Sequence, residues 1–177
     1  MTATTTYLSL KAASAPKAGQ RAKGAITYRV LADVDRNEVF FRIEGNQGSG
    51  WFSRELVAFS RVDQLLSDLQ TSGHPLAAKS LRPVFMSRSV NNAGFLVAIL
   101  RAEGLLAPAP DSEFLQVVTG DWPAWKQAVL ESSGEPYVLS QANAADITAE
   151  SRPAADREHP QNTKKRASSP RAHVRSD

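Results

Sequence analysis

The stretch AITYRVLADVDRNEVFFRIEGN, residues 25–46, decides the fold. Ile26, Tyr28, Val30, Ala32 and Val34 alternate with Thr27, Arg29, Leu31 and Asp33. A period of two marks a strand with one buried face. Asp35, Arg36 and Asn37 break the run with turn-forming residues. Val39, Phe41 and Ile43 then alternate with Glu38, Phe40, Arg42 and Glu44. Two such runs across a short turn predict an antiparallel hairpin.

Reading toward the C-terminus, residues 45–50 form a glycine-rich loop, and Trp51 to Phe59 is a candidate third strand. Ser60 can cap a helix in which Val62, Leu65, Leu66 and Leu69 share one face. Ser72, Gly73, His74 and Pro75 end it. Residues 76–88 fit no single pattern. Ser89 or Asn91 can cap a second helix containing Phe95, Leu96, Ile99 and Leu100, closed by Gly104. Gly94 inside that helix predicts close approach of another backbone. Ala107 to Pro110 reads as a stiff connector and Phe114 to Val118 as a strand. Asp121, Trp122 and Pro123 open a third helix with Trp125, Val129 and Leu130 facing inward. Pro136 to Leu139 reads as a short last strand. The order predicts a single α+β domain over residues 24–139, a mainly antiparallel sheet of three to five strands with about three helices packed on it. A small β-barrel decorated with helices is the alternative.

Charge is sorted by region. Residues 1–23 hold Lys11, Lys17, Arg21 and Lys23 and no acid. Residues 24–139 hold more acids than bases, residues 140–177 more bases than acids, and the whole chain carries +3. Residues 1–23 therefore read as a flexible basic leader, in which Tyr7, Leu8 and Leu10 either add a short edge strand or stay disordered. Residues 140–177 read as a disordered tail, since few large apolar side chains are there to offset the ordering entropy. Cysteine is absent, which excludes disulfides, thiol nucleophiles and thiolate-ligated metals. The longest apolar run, Ala93 to Leu100, is far short of a membrane span, and residues 1–10 do not read as a secretory signal. The expectation is a cytoplasmic protein with no membrane partner.

No catalytic motif stands out. Gly45, Gly48 and Gly50 lack the lysine of a phosphate-binding loop and are better read as hairpin-loop residues. Ser53 would need a general base, and His74 sits in a turn. The histidines are too scattered for a metal cluster. The pairs Asp33/Asp35 and Asp111/Glu113 read as turn and solvation residues. No enzyme, cofactor or metal is expected.

The binding candidates fall in three places. Arg82, Arg88, Ser89, Asn91 and Asn92 precede the second helix, where free N–H groups and two guanidiniums attract anions. Helix capping alone also explains the serine and asparagines. Trp51 and Phe52, with Phe40, are aromatic candidates for stacking on unpaired bases. Lys164, Lys165 and Arg166 in the tail can contact phosphates without sequence preference, or simply stay solvated.

Two stretches carry a resemblance. Tyr7-Leu8-Ser9-Leu10-Lys11, leading through Gly24-Ala25-Ile26-Thr27-Tyr28-Arg29-Val30, is one. Ser89-Val90-Asn91-Asn92-Ala93-Gly94-Phe95-Leu96, with Leu100-Arg101-Ala102-Glu103-Gly104-Leu105-Leu106, is the other. They resemble uncharacterised accessory proteins of integrative and conjugative elements or plasmids. The resemblance implies a mobile-element setting and brings no active residues. Two functions are expected from these readings. One is a non-enzymatic module associated with single-stranded or double-stranded nucleic acid through basic ends and a sheet surface. The other is an adaptor or inhibitor that binds a mobile-element or host protein through an acidic domain surface.

Overall fold

Residues Ala25–Asp33 (β2) and Val39–Asn46 (β3) form the expected antiparallel hairpin, with Tyr28 opposite Ile43 and Val30 opposite Phe41. Alternation has its predicted effect: Ile26, Tyr28, Val30, Val39, Phe41 and Ile43 are all buried in one cluster. The computed structural model describes residues 4–19, 23–70 and 74–140. Around the hairpin lie β1 (Thr4–Pro16), β4 (Val57–Ala58), α1 (Phe59–Gln70), β5 (Leu76–Ala77), a 3₁₀ turn (Ala78–Val84), α2 (Asn92–Ala102), β6 (Leu106–Ala109), β7 (Ser112–Val118), α3 (Trp122–Glu131) and β8 (Glu135–Ser140). The fold is α+β. One sheet of five strands runs β4-β3-β2-β1-β8 and a second of three runs β5-β7-β6. Every strand pairing is antiparallel.

The helices form as their sequences dictate. In α1, Val62 and Leu66 are buried and Leu65 and Leu69 pack at the margin of the same cluster. In α3, the Asp121 carboxylate accepts the Ala124 N–H at 2.9 Å, as a capping aspartate should, and a proline stands in the first turn. Trp125 stacks on both Phe41 and Phe59, with ring centroids 5.6 and 5.4 Å apart. In α2, every residue from Phe95 to Leu100 is buried. A helix that is apolar on all sides belongs inside.

Four expectations are corrected. The flexible leader over residues 1–23 is not what residues 4–16 form. They are β1, a central strand paired with β2 along one edge and β8 along the other. Its order comes from main-chain pairing on both sides and from small residues, Ala15 fully buried and Ala13 half-buried, that fit against the core. The folded unit thus begins well before residue 24. The third strand expected over Trp51 to Phe59 shrinks to Val57–Ala58, because side chains from elsewhere fasten the preceding backbone. The stiff connector at 107–110 is largely β6, paired to β7. Gly94 meets no backbone: a Cβ there would have nothing within 4 Å. The tail expectation, with Lys164, Lys165 and Arg166, lies outside the described residues, apart from Ser140, which ends β8.

Candidate functional site

The polar residues expected to cap α2 do something else. Asn91 is the N-cap by position but has helical dihedrals, and its side chain caps nothing. It donates instead to the Trp51 carbonyl at 2.9 Å, and the Ser89 hydroxyl donates to the same oxygen at 2.6 Å. Asn92 is fully buried. Its Oδ1 accepts the Ser53 N–H at 3.0 Å, while its Nδ2 donates to Ser53 Oγ at 2.6 Å and Ser87 Oγ at 2.9 Å. Glu55 completes the lock. Its carboxylate accepts the Ser53 hydroxyl at 2.6 Å, the Met86 N–H at 2.7 Å and the Ser87 N–H at 3.2 Å. Segments 51–55 and 86–92, far apart in sequence, are therefore bolted together, with the two Asn92–Ser53 bonds buried at the centre and those to the Met86 N–H and the Trp51 carbonyl at the exposed rim.

What this lock presents is apolar. Met86 is 87% exposed, Val90 68%, Phe114 67% and Trp51 42%. Val90 links Met86 on one side to Phe114 on the other. Met86 and Val90 line one hollow of about 340 Å³ together with Arg82 and Arg88. Val90 also lines a second groove of about 250 Å³, with Phe114, Phe95, Gly94 and Lys17. Trp51 is tied to the same loop through its carbonyl. Arg82 and Arg88 are exposed, and neither guanidinium has a hydrogen-bond or ion-pair partner among the described residues. The Lys17 ammonium donates to the Gln47 carbonyl at 2.8 Å and sits 5.7 Å from the Phe95 ring centre.

The structure thus brings together Trp51, Arg82, Arg88, Ser89, Asn91 and Asn92, but in different roles. Arg82, Arg88 and Trp51 face outward. Ser89, Asn91 and Asn92 are internal fasteners. Phe52 does not offer a stacking surface, being 4% exposed against Phe95, with ring centroids 6.2 Å apart. Phe40 is half-buried and meets Tyr7 edge-on at 5.6 Å. Met86, Val90, Phe114 and Glu55 are the residues that sequence reasoning missed. An apolar Val90 inside the otherwise polar segment Ser87 to Asn92, with Met86 just before it, was the available signal.

Two further polar clusters serve the fold. On the sheet face away from the helices, Arg42 Nη1 meets Glu44 Oε1 at 2.5 Å, and the Tyr137 hydroxyl donates to the same oxygen at 2.8 Å. Arg29 stacks on the Tyr137 ring at 4.8 Å, and Arg54 donates to the Glu44 carbonyl. Burial, aided by the bond to Glu44, raises the Tyr137 hydroxyl above its ordinary pKa. Arg29 and Arg42 thus share the Glu44 carboxylate, while Arg54 is held by the main-chain carbonyl of the same residue. On the helix side, Glu103 is buried at the end of α2 and receives Tyr28, Lys11 and Trp125. Burial, then the Glu103 bond, pushes the Tyr28 hydroxyl well up.

Ser53 and Glu55 do touch, but His74 is bonded to neither among the described residues. Among those residues no three metal-binding side chains gather, and no helix is long and apolar enough to cross a membrane. Comparison with known protein families, curated proteins and solved structures found no match.

Proposed function

We propose that this chain is a protein-interaction module that docks a partner through the surface built by Trp51, Met86, Val90 and Phe114. The observation that carries the reading is the succession of exposed Met86, Val90 and Phe114 along two adjoining hollows, beside a loop fastened from beneath and tied to the backbone of exposed Trp51. Soluble surfaces rarely expose such contiguous apolar area without a use for it. Tryptophan, methionine and arginine are also the residues enriched at interface centres. Fastening the loop before binding removes an ordering cost that a floppy loop would carry. The uncompensated Arg82 and Arg88 select a partner whose apolar side chains are flanked by carboxylates. In a mobile-element setting such a module acts as an adaptor or inhibitor, through an apolar, basic-rimmed surface instead of an acidic one. The nucleic-acid reading has less support, because Phe52 is buried, Phe40 is half-buried against Tyr7, and Arg29 and Arg42 are both tied to the Glu44 carboxylate.

The test uses the full chain against a displayed library of short random peptides, with a single-stranded thymidine oligonucleotide as the competing probe. Enriched peptides should combine aliphatic or aromatic residues with Asp or Glu. Met86→Asp and the double change Arg82→Glu, Arg88→Glu should each weaken them by about tenfold or more, as loss of a central anchor does. Melting temperature should hardly change, since these side chains are exposed. Failure to enrich any such peptide, or oligonucleotide binding that the same variants abolish, overturns the reading.

A further inference from the structure

Sulfur is scarce in this chain. Cysteine is absent, and the two methionines are Met1 and Met86. Met86 therefore carries the one sulfur atom among the described residues. Methionine ordinarily fills gaps inside a core. Here Val84 and Phe85 are buried, the chain turns outward after them, and Met86 is left 87% exposed. Its backbone is held there. The Met86 N–H donates to the Glu55 carboxylate at 2.7 Å, and the Ser87 N–H donates to the same group at 3.2 Å. With both amides fastened, the thioether stays in solvent. It shares its hollow of about 340 Å³ with Arg82 and Arg88.

We propose that Met86 is an oxidation site, and that its conversion to the sulfoxide by a peroxide switches the docking surface off. The switch rests on the docking function proposed above. The sulfur lone pair attacks one peroxide oxygen, and the O–O bond breaks as the S–O bond forms. With hydrogen peroxide, the departing hydroxide takes the proton from the transferred oxygen and leaves as water. Sulfur loses two electrons and the peroxide gains them. The product is polar where the thioether was apolar. It removes Met86 from the apolar succession that continues through Val90 and Phe114. It also sets a new acceptor, the sulfoxide oxygen, in the hollow lined by Arg82 and Arg88, where a partner's carboxylates would otherwise bind. The fold is spared, because the loop is fastened through main-chain N–H groups, Glu55 and Asn92, and not through the Met86 side chain. The same exposure leaves the sulfoxide open to the reductases that reverse it.

Absence of cysteine makes the test clean. The full-length chain is treated with dilute hydrogen peroxide, and Met86 is followed by tryptic mass spectrometry. Met86 should gain one oxygen at close to the rate of free methionine. A saturating synthetic peptide, taken from those enriched in the docking selection, should protect it. After oxidation the same peptide should bind about tenfold more weakly, with the melting temperature unchanged. Methionine sulfoxide reductases should restore the affinity. Met86→Leu has no thioether here, so its affinity, whatever the starting value, should be the same before and after peroxide. Oxidation far slower than that of free methionine overturns the inference. So does peptide affinity that survives full oxidation of Met86, or that falls equally in Met86→Leu. Those results leave the docking function standing, whereas a chain that enriches no peptide overturns both.

Discussion

Asn92→Ala probes the lock beneath the docking loop. The side chain is fully buried and makes three hydrogen bonds, all to residues of the two fastened segments. Its orientation is not free: the Ser53 N–H can only donate, so the amide oxygen must face it. Truncation leaves that buried N–H without an acceptor, which costs about 1–3 kcal/mol. The two bonds to Ser53 Oγ and Ser87 Oγ contribute about 1 kcal/mol each. Those hydroxyls are less exposed to loss, because Ser53 keeps Glu55 and Ser87 keeps the Ser89 N–H at 3.4 Å. The expected destabilisation is about 3–4 kcal/mol, a large share of a domain's typical 5–15 kcal/mol, with a melting temperature lower by roughly 10 °C. Guanidinium unfolding followed by tryptophan fluorescence measures it. Native-state hydrogen exchange at the Met86 and Ser87 amides should rise more than at β2, because the loop loses its support first. Asn92→Asp separates the terms. It restores the acceptor for Ser53 but at neutral pH removes both donors and adds a second carboxylate beside the hydroxyl that serves Glu55. It should therefore recover stability as the new carboxyl protonates. A loss below about 1 kcal/mol for Asn92→Ala, or exchange unchanged at Met86 and Ser87, would refute the claim that buried hydrogen bonds hold this surface.

Glycines give a paired prediction. Gly94→Ala should stabilise by about 0.5–1 kcal/mol, since the added methyl meets open space in a helix. Gly120→Ala should destabilise by about 1–2 kcal/mol, since Gly120 has φ +71° and its Cβ would lie 2.6 Å from the Gly104 carbonyl oxygen. Chemical denaturation of both variants decides the pair, and opposite signs are required. Tyr28→Phe should flatten the alkaline limb of the stability curve. The native hydroxyl keeps its proton above pH 10, where the unfolded tyrosine releases it. Native protein then holds more protons than unfolded, so stability falls as pH rises, by at most about 1.4 kcal/mol per pH unit. The variant should be about 1 kcal/mol weaker at pH 7 yet converge on the parent above pH 10. Parallel curves from pH 7 to 11 would refute the assignment.

The hairpin was legible because one face of β2 and β3 meets the core and the other does not, and burial on one face writes a period of two into the sequence. The α1 face and the Asp121 cap were legible for equally local reasons. β1 was not. Its first residues are exposed or half-buried, so its membership rests on main-chain bonds to β2 and β8, and backbone pairing leaves no mark on side-chain pattern. Trp51 and Phe52 show another limit. Adjacent aromatics in an extended segment point opposite ways, and nothing local says that Phe52 turns in and Trp51 out. Ser89, Asn91 and Asn92 read from sequence as anion-binding or capping residues at a helix start, because those are the nearest explanations for polar side chains there. Their partners in segment 51–55 lie 38 to 40 residues away.

The position of β1 also changes the electrostatic argument. A basic leader free in solution would attract phosphates wherever they came from. Lys11 instead forms an ion pair with buried Glu103 at 2.8 Å, and Lys17 is bonded to the Gln47 carbonyl and sits against Phe95. The Lys11 charge is already shared with a carboxylate that is 4% exposed, which weakens its pull on a phosphate, and drawing it away would strip a buried charge of its partner. Two of the four leader cations are thereby committed to the fold. Under the proposed docking role, the positive charge that counts is that of Arg82 and Arg88, beside exposed Met86 and Val90. Cations set at the rim of an apolar patch discriminate among protein surfaces, whereas a phosphate backbone has nothing to place on the methionine and valine between them.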